Sequence, residues 1–215
     1  MKSRLTFTAL LLLVASPLLA QNFSVGMKGV QTFFIRDERG RNQAIFYSKA
    51  PLEDITGVST GLDGTIELDP SNVVKTIKAE LSVDITTLKT GIDMRDSHLR
   101  SESWLDAEKY PRVTFVLKSL KNAKTVGGIS VTAMAIGDLT LHGVTREVKV
   151  PVTLKYLVES EQTRTRAPGD LLSLRAAGKV KLSDYGVTNK IIGSKVENEI
   201  GFEFNAVASD AFKPK

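Results

Sequence analysis

Along most of the chain apolar and polar residues alternate with a period of two, the mark of half-buried β-strands. The clearest run sets Val148, Val150, Val152, Leu154, Tyr156 and Val158 against Glu147, Lys149, Pro151, Thr153 and Lys155. Proline has no N–H to give to a ladder, so Pro151 on the polar phase predicts an edge or a bulge there. A second run sets Leu172, Leu174, Ala176, Gly178, Val180 and Leu182 against a polar phase, and a third does so with Ile200, Phe202, Phe204, Ala206 and Ala208. Shorter runs are Ile77, Ala79, Leu81, Val83, Ile85 and Val113, Phe115, Leu117, with Ala133, Ala135 and Gly137 on another strand. Residues 44–49 and 65–68 predict two strands nearer the front. Turn signals fall between the runs at Asp63-Gly64, Asp69-Pro70-Ser71-Asn72, Gly127-Gly128, His142-Gly143 and Pro168-Gly169-Asp170. Many strands at short spacing, with no alternating helices, predict an antiparallel all-β domain, either a closed barrel or a sandwich. The small inward residues admit two readings: they leave space for a ligand inside a barrel, or they pack opposite large neighbours in a filled core.

One stretch, residues 94–115, breaks the alternation. It holds His98, one of two histidines, the single tryptophan Trp104, and a dense run of both charge signs. Asp93 or Asp96 is expected to cap a short, irregular helix over about residues 94–102, lying as a cover across one end of the sheet. Ser97, Ser101, Ser103 and Asp96 stand near His98 in sequence, but there is no Gly-x-Ser-x-Gly elbow, and sequence neighbours on a helix point in different directions. His98 and His142 lack the close spacing typical of metal ligands. A metal-dependent or hydrolytic enzyme using His98, His142 and nearby carboxylates is the alternative to a non-enzymatic binding protein. No catalytic residue, metal or cofactor is expected under the binding reading.

Composition narrows the classes further. There is no cysteine among the 215 residues, which excludes disulfides, thiol nucleophiles and thiolate metal sites. Lys2 and Arg4, the apolar run from Leu5 to Ala15 and the small residues before Gln21 have the layout of a cleaved export signal, too short to span a bilayer. Residues 21–215 would then form one domain in the periplasm or outside the cell. Removing Lys2 and Arg4 from the 29 basic residues leaves 27 against 24 acidic ones, a mild +3 with no arginine cluster. Aromatics do not interleave with a basic patch, so nucleic acid is not an expected partner.

Three blocks in order resemble the YceI-like family. They are Arg95-Asp96-Ser97-His98-Leu99-Arg100-Ser101 with Trp104-Leu105-Asp106 and Tyr110-Pro111-x-Val113-Thr114-Phe115, then residues 137–148 (GDLTLHGVTREV), then Ser183-Asp184-Tyr185-Gly186-Val187. The resemblance implies an extended, lipocalin-like antiparallel β-barrel of eight strands with a short helical segment. It also implies an exported, non-enzymatic protein holding an isoprenoid-like or other long-chain amphipathic lipid in an apolar cavity. Homodimerisation and transient membrane contact stay open. The chain departs from the pattern at Leu182, where the family often has arginine, and in residues 42–53, which lack the family's histidines. The inward phases nominate Val83, Ile85, Phe115, Leu117, Val131, Ala133, Val150, Val152, Phe202 and Phe204 as the ligand wall. Met94, Leu99 and Trp104 are the expected cover near one mouth, and Ala133→Trp is expected to shorten the cavity.

Overall fold

The computed structural model describes residues 21–213; the expected export signal lies outside the described residues. Ten strands form the sheet: β1 (Gln31–Ile35), β2 (Gln43–Lys49), β3 (Asp54–Ser59), β4 (Leu62–Leu68), β5 (Lys78–Asp84), β6 (Arg112–Val126), β7 (Ser130–Leu141), β8 (Val144–Leu157), β9 (Leu171–Lys181) and β10 (Glu199–Ser209). Short helices α1 (Val73–Thr76), α2 (Asp93–Arg100) and α3 (Glu161–Arg164) interrupt them. Every ladder between named strands is antiparallel, and β1 returns to pair with β10, closing the sheet. β1 and β2 lie in succession along β10, and β3 and β4 follow one another opposite them, so the ten segments occupy the positions of an eight-stranded barrel. Closure removes the sheet edges that an open sandwich would expose.

The strand pattern predicted most of this. β1 and β3 escaped it for a local reason. The buried positions of β3 are Ile55, Gly57 and Ser59, which carry almost no apolar signal. Gly57 is small because the Phe46 ring of β2 fills the space its side chain would take. β6 runs well past the predicted Val113–Leu117 alternation because register shifts after Leu117 and after Lys121 reset its phase. The expected turn at Asp63-Gly64 is instead the middle of β4, where a side chain on Gly64 would strike the Glu80 carbonyl of β5. His142-Gly143 is a two-residue hairpin turn and Gly127-Gly128 opens a three-residue one closed by Ile129, with His142 and the three glycines at positive φ.

Two apolar plugs close the barrel. At one end the N-terminal segment brings Phe23 against Tyr156, and Phe33 meets the same ring edge-on, each with ring centres 5.6 Å apart. The Tyr156 hydroxyl donates to Asp170 at 2.7 Å, so the buried phenol is satisfied. At the other end Trp104, Leu105, Leu88, Leu141 and Tyr185 form the second cluster.

A special joint holds the break between β1 and β2. Residues 36–42 loop out, leaving Val207 of β10, between its β2 partners and its β1 partners, without a strand on that side. The buried Asn42 amide takes the strand's place: its Nδ2 donates to the Val207 carbonyl at 3.2 Å, and its Oδ1 accepts from the Val207 N–H at 3.0 Å. Asp37 in the same loop accepts from the Arg39 and Asn42 N–H groups and from the Arg166 guanidinium. Burial pushes the Asp37 carboxyl pKa up, but the two backbone donors and Arg166 outweigh it and hold the group below its usual value.

Candidate ligand-binding cavity

Between the two plugs the inward phases do not meet. They enclose a cavity of about 630 Å³ running along the barrel axis, a size within the ordinary range for pockets that bury a small-molecule ligand. Of the nominated wall, Val83, Phe115 and Leu117 line it from β5 and β6, Val150 and Val152 from β8, and Phe202 and Phe204 from β10. The nominated cover residues Met94, Leu99 and Trp104 line it too. Ile85, Val131 and Ala133 do not. Ile85 is packed in the plug under Trp104, while Val131 and Ala133 belong to the plug around Tyr156. Ala133 shares its phase with Ala135, which does line the cavity, but lies two residues farther into the packed end. Ala133 is half-buried and does not line the cavity, so Ala133→Trp does not report on the cavity's length.

The two readings of the small residues divide the same way. Gly137 and Gly178 are covered by the rings of Phe115 and Phe202, and Ala206 and Ala208 sit in the plug. Ala44, Ala135 and Ala176 face the cavity. Leu182, where the resemblance led one to expect arginine, is an apolar part of the lining.

The mouth is built from segments without periodicity, which is why sequence reasoning missed its residues Ile92, Ile191 and Val196. The rim contributes the charged lining groups Glu53, Arg95 and Lys195 and the imidazole of His98. Met94 on α2 is 70% exposed, and Ile92 and Ile191 are also exposed. Leu52 is exposed beside them, its N–H donating to the Ser194 carbonyl.

α2 starts at Ile92 without a side-chain cap, so neither Asp93 nor Asp96 caps it as expected. Asp96 is instead turned inward as a tie. Its carboxylate is almost wholly buried and accepts from the Thr90 N–H at 2.7 Å and the Thr90 hydroxyl at 2.6 Å. Arg95 donates to the Thr90 hydroxyl and to Glu53 of the loop before β3, and Arg100 to the Leu88 carbonyl. Burial raises the Asp96 pKa, but the Thr90 donors, with Lys89 and Arg100 nearby, outweigh it and leave the group below its ordinary value. A depressed carboxylate stabilises the fold fully above the unfolded value near 3.9 and loses that contribution as pH falls through its lower folded value. Trp104, the single tryptophan, follows α2 and is buried. Its emission is expected to shift to the red when acidification protonates Asp96. Asp96→Asn should show that shift already at neutral pH, and an unshifted Asp96→Asn spectrum would remove the tie.

The two histidines belong to different places. His98 is exposed on the rim, and the ring of His142, in the β7–β8 turn, bonds the Tyr185 carbonyl at 3.1 Å. Ser101 gives its hydroxyl to the His98 carbonyl, not to the ring. Among the described residues no group of three or more His, Cys, Asp or Glu converges on a point where a metal could sit.

A family model described as the YceI-like domain matches residues 38–208. The chain belongs to the YceI-like family. The YceI protein of Escherichia coli strain UMN026 is 31% identical over 183 residues, 85% of this chain and 84% of its own length. That of Salmonella newport is 29% identical over 93% of this chain and 94% of its own. Among solved structures, Burkholderia cenocepacia BcnA superposes with a TM-score of 0.62 at 21% identity, covering 79% of this chain and 97% of its own. A polyisoprenoid binding domain from Saccharophagus degradans gives 0.61 at 15% identity, covering 84% and 99%. These last two likenesses establish the shared fold. This YceI-like chain is an antiparallel, lipocalin-like β-barrel.

Proposed function

We propose that this YceI-like protein is exported and holds a long-chain amphipathic lipid with an isoprenoid-like tail. The observation that carries the reading is the axial cavity, lined almost throughout by aliphatic and aromatic side chains from the strands. Burying a methylene is worth about 0.8 kcal/mol, so a tail enclosed in such a space binds without directed polar contacts. The charged groups of the rim would meet the polar end. The polyisoprenoid binding domain of Saccharophagus degradans, of the same fold, supports the class of ligand. Export to the periplasm or the medium rests on the layout of residues 1–20. Exposed Leu52, Ile92, Met94 and Ile191 around the mouth favour a passing contact with a bilayer while the lipid is exchanged.

Native mass spectrometry of protein purified from its own source, followed by solvent extraction, tests the reading. The expected result is a bound species of lipid mass that leaves on extraction. Protein that carries no lipid and takes up none from vesicles of the source's own lipids would overturn it.

A further inference from the structure

The barrel wall is not hydrogen-bonded all the way round. β8 and β9 pair only from Val152 opposite Ala176 to Leu157 opposite Leu171. Beyond Val152 the ladder stops, although β8 remains paired to β7 as far as Val144 and β9 to β10 as far as Lys181. Pro151 is the first residue past the last pair, and it has no N–H with which to continue. The strands still touch at Val150 and Gly178, where an added side chain would meet Val150 at an ordinary 3.6 Å. Farther along only side chains close the wall. Outside this seam lies a polar groove of about 580 Å³, lined among others by Arg146, Lys181 and Tyr185. Val148 and Val180 line both this groove and the axial cavity. The 182–185 turn covers the seam: Arg146 Nε donates to the Asp184 carbonyl and His142 Nδ1 to the Tyr185 carbonyl, each at 3.1 Å, and on its other side the Leu182 N–H donates to the Asn198 carbonyl and the Ser183 N–H to the Asn198 side chain.

We infer that the seam between β8 and β9 is a second, lateral opening of the cavity, through which an amphipathic chain passes with its polar end in the outer groove. The inference rests on the lipid-binding reading for its cargo, but not for the opening itself. Across the seam itself the wall is two valines and the side-chain bonds from Arg146 and His142, so it opens by rotamer changes on the β8 side while the turn stays anchored to Asn198. Across β7–β8 or β9–β10, by contrast, passage would require breaking a continuous ladder. The groove supplies polar partners for a headgroup along the whole route, which the apolar mid-section of the barrel does not.

Two measurements test this on the full chain. Backbone hydrogen exchange decides the opening by itself. The seam-facing amides among residues 145–149 and 177–181 are expected to exchange far faster than those of the β6–β7 ladder, and equal protection would overturn the opening whether or not lipid binds. The second uses the absence of cysteine. In a Lys149→Cys/Ala177→Cys variant both new thiols lie exposed on the outer face, and a short thiol cross-linker ties the strands across the seam. A fluorescent polyene fatty acid is expected to reach the same occupancy in cross-linked and uncross-linked protein, but to leave the former about tenfold more slowly, an off-rate effect. Unchanged release after complete cross-linking, confirmed by mass, would assign all traffic to the α2 mouth and overturn the route. Failure of every form to take up the fatty acid would overturn the cargo, leaving the opening to the exchange result.

Discussion

An Ala176→Trp protein is expected to fold as its parent does and to lose long-chain lipid. Ala176 of β9 lies directly opposite Val152 and Phe204, and all three face the cavity midway between the plugs. An indole placed there extends into unfilled space, so the usual cost of overpacking a dense core is largely avoided. What it removes is room. If it excludes about four methylenes of a tail, at about 0.8 kcal/mol each, affinity falls by about 3 kcal/mol, or roughly two-hundredfold. Short chains that stop before Ala176 should bind as before. Titration with a series of fatty acids of increasing length checks this, and a loss independent of length would mean that the cavity does not receive the tail along its axis.

Asn42→Ala is expected to be the most damaging single truncation outside the plugs. The Asn42 amide stands in for a strand beside Val207 and also accepts from Arg166 at 2.6 Å. Alanine leaves the Val207 N–H and carbonyl without those partners, at about 1–3 kcal/mol for each group left unsatisfied in the interior. A total near 3 kcal/mol corresponds to a fall in Tm of about 6–12 °C for a domain of this size. Thermal unfolding followed by circular dichroism measures it. The effect should grow in acid, because the neighbouring Asp37 also has a depressed pKa and its contribution disappears as pH drops through that folded value. A Tm within 2 °C of the parent would be too small a change for this account of the joint.

Much of this structure was legible in the order of residues. The alternation predicted β9 and β10 to within one residue at each end and β8 except for its first three residues, Val144–Arg146, and Pro151 marked the place where a ladder stops. The irregular 94–115 stretch announced a cover, and α2 with Trp104 forms one. What could not be read was depth. Val131, Ala133 and Ala135 carry the same phase, yet the cavity wall begins only at Ala135. Asp96 looked like a helix cap and proved to be an inward tie to Thr90. Asn42, which substitutes for a strand 165 residues away in sequence, had no local signal at all.

The sequence by itself determined most of the strands, which face of each turns inward, and the family to which those strands belong, because alternation is a local property of an extended backbone. Only the tertiary structure decided where the barrel is filled, where it is hollow and where its wall is unzipped. Those depend on what distant segments bring opposite each inward residue: Phe23 and Phe33 against Tyr156, Phe115 over Gly137, and no ladder between Val148 and Val180. Phase sets the direction of a side chain, and packing across the barrel sets whether anything is there to meet it.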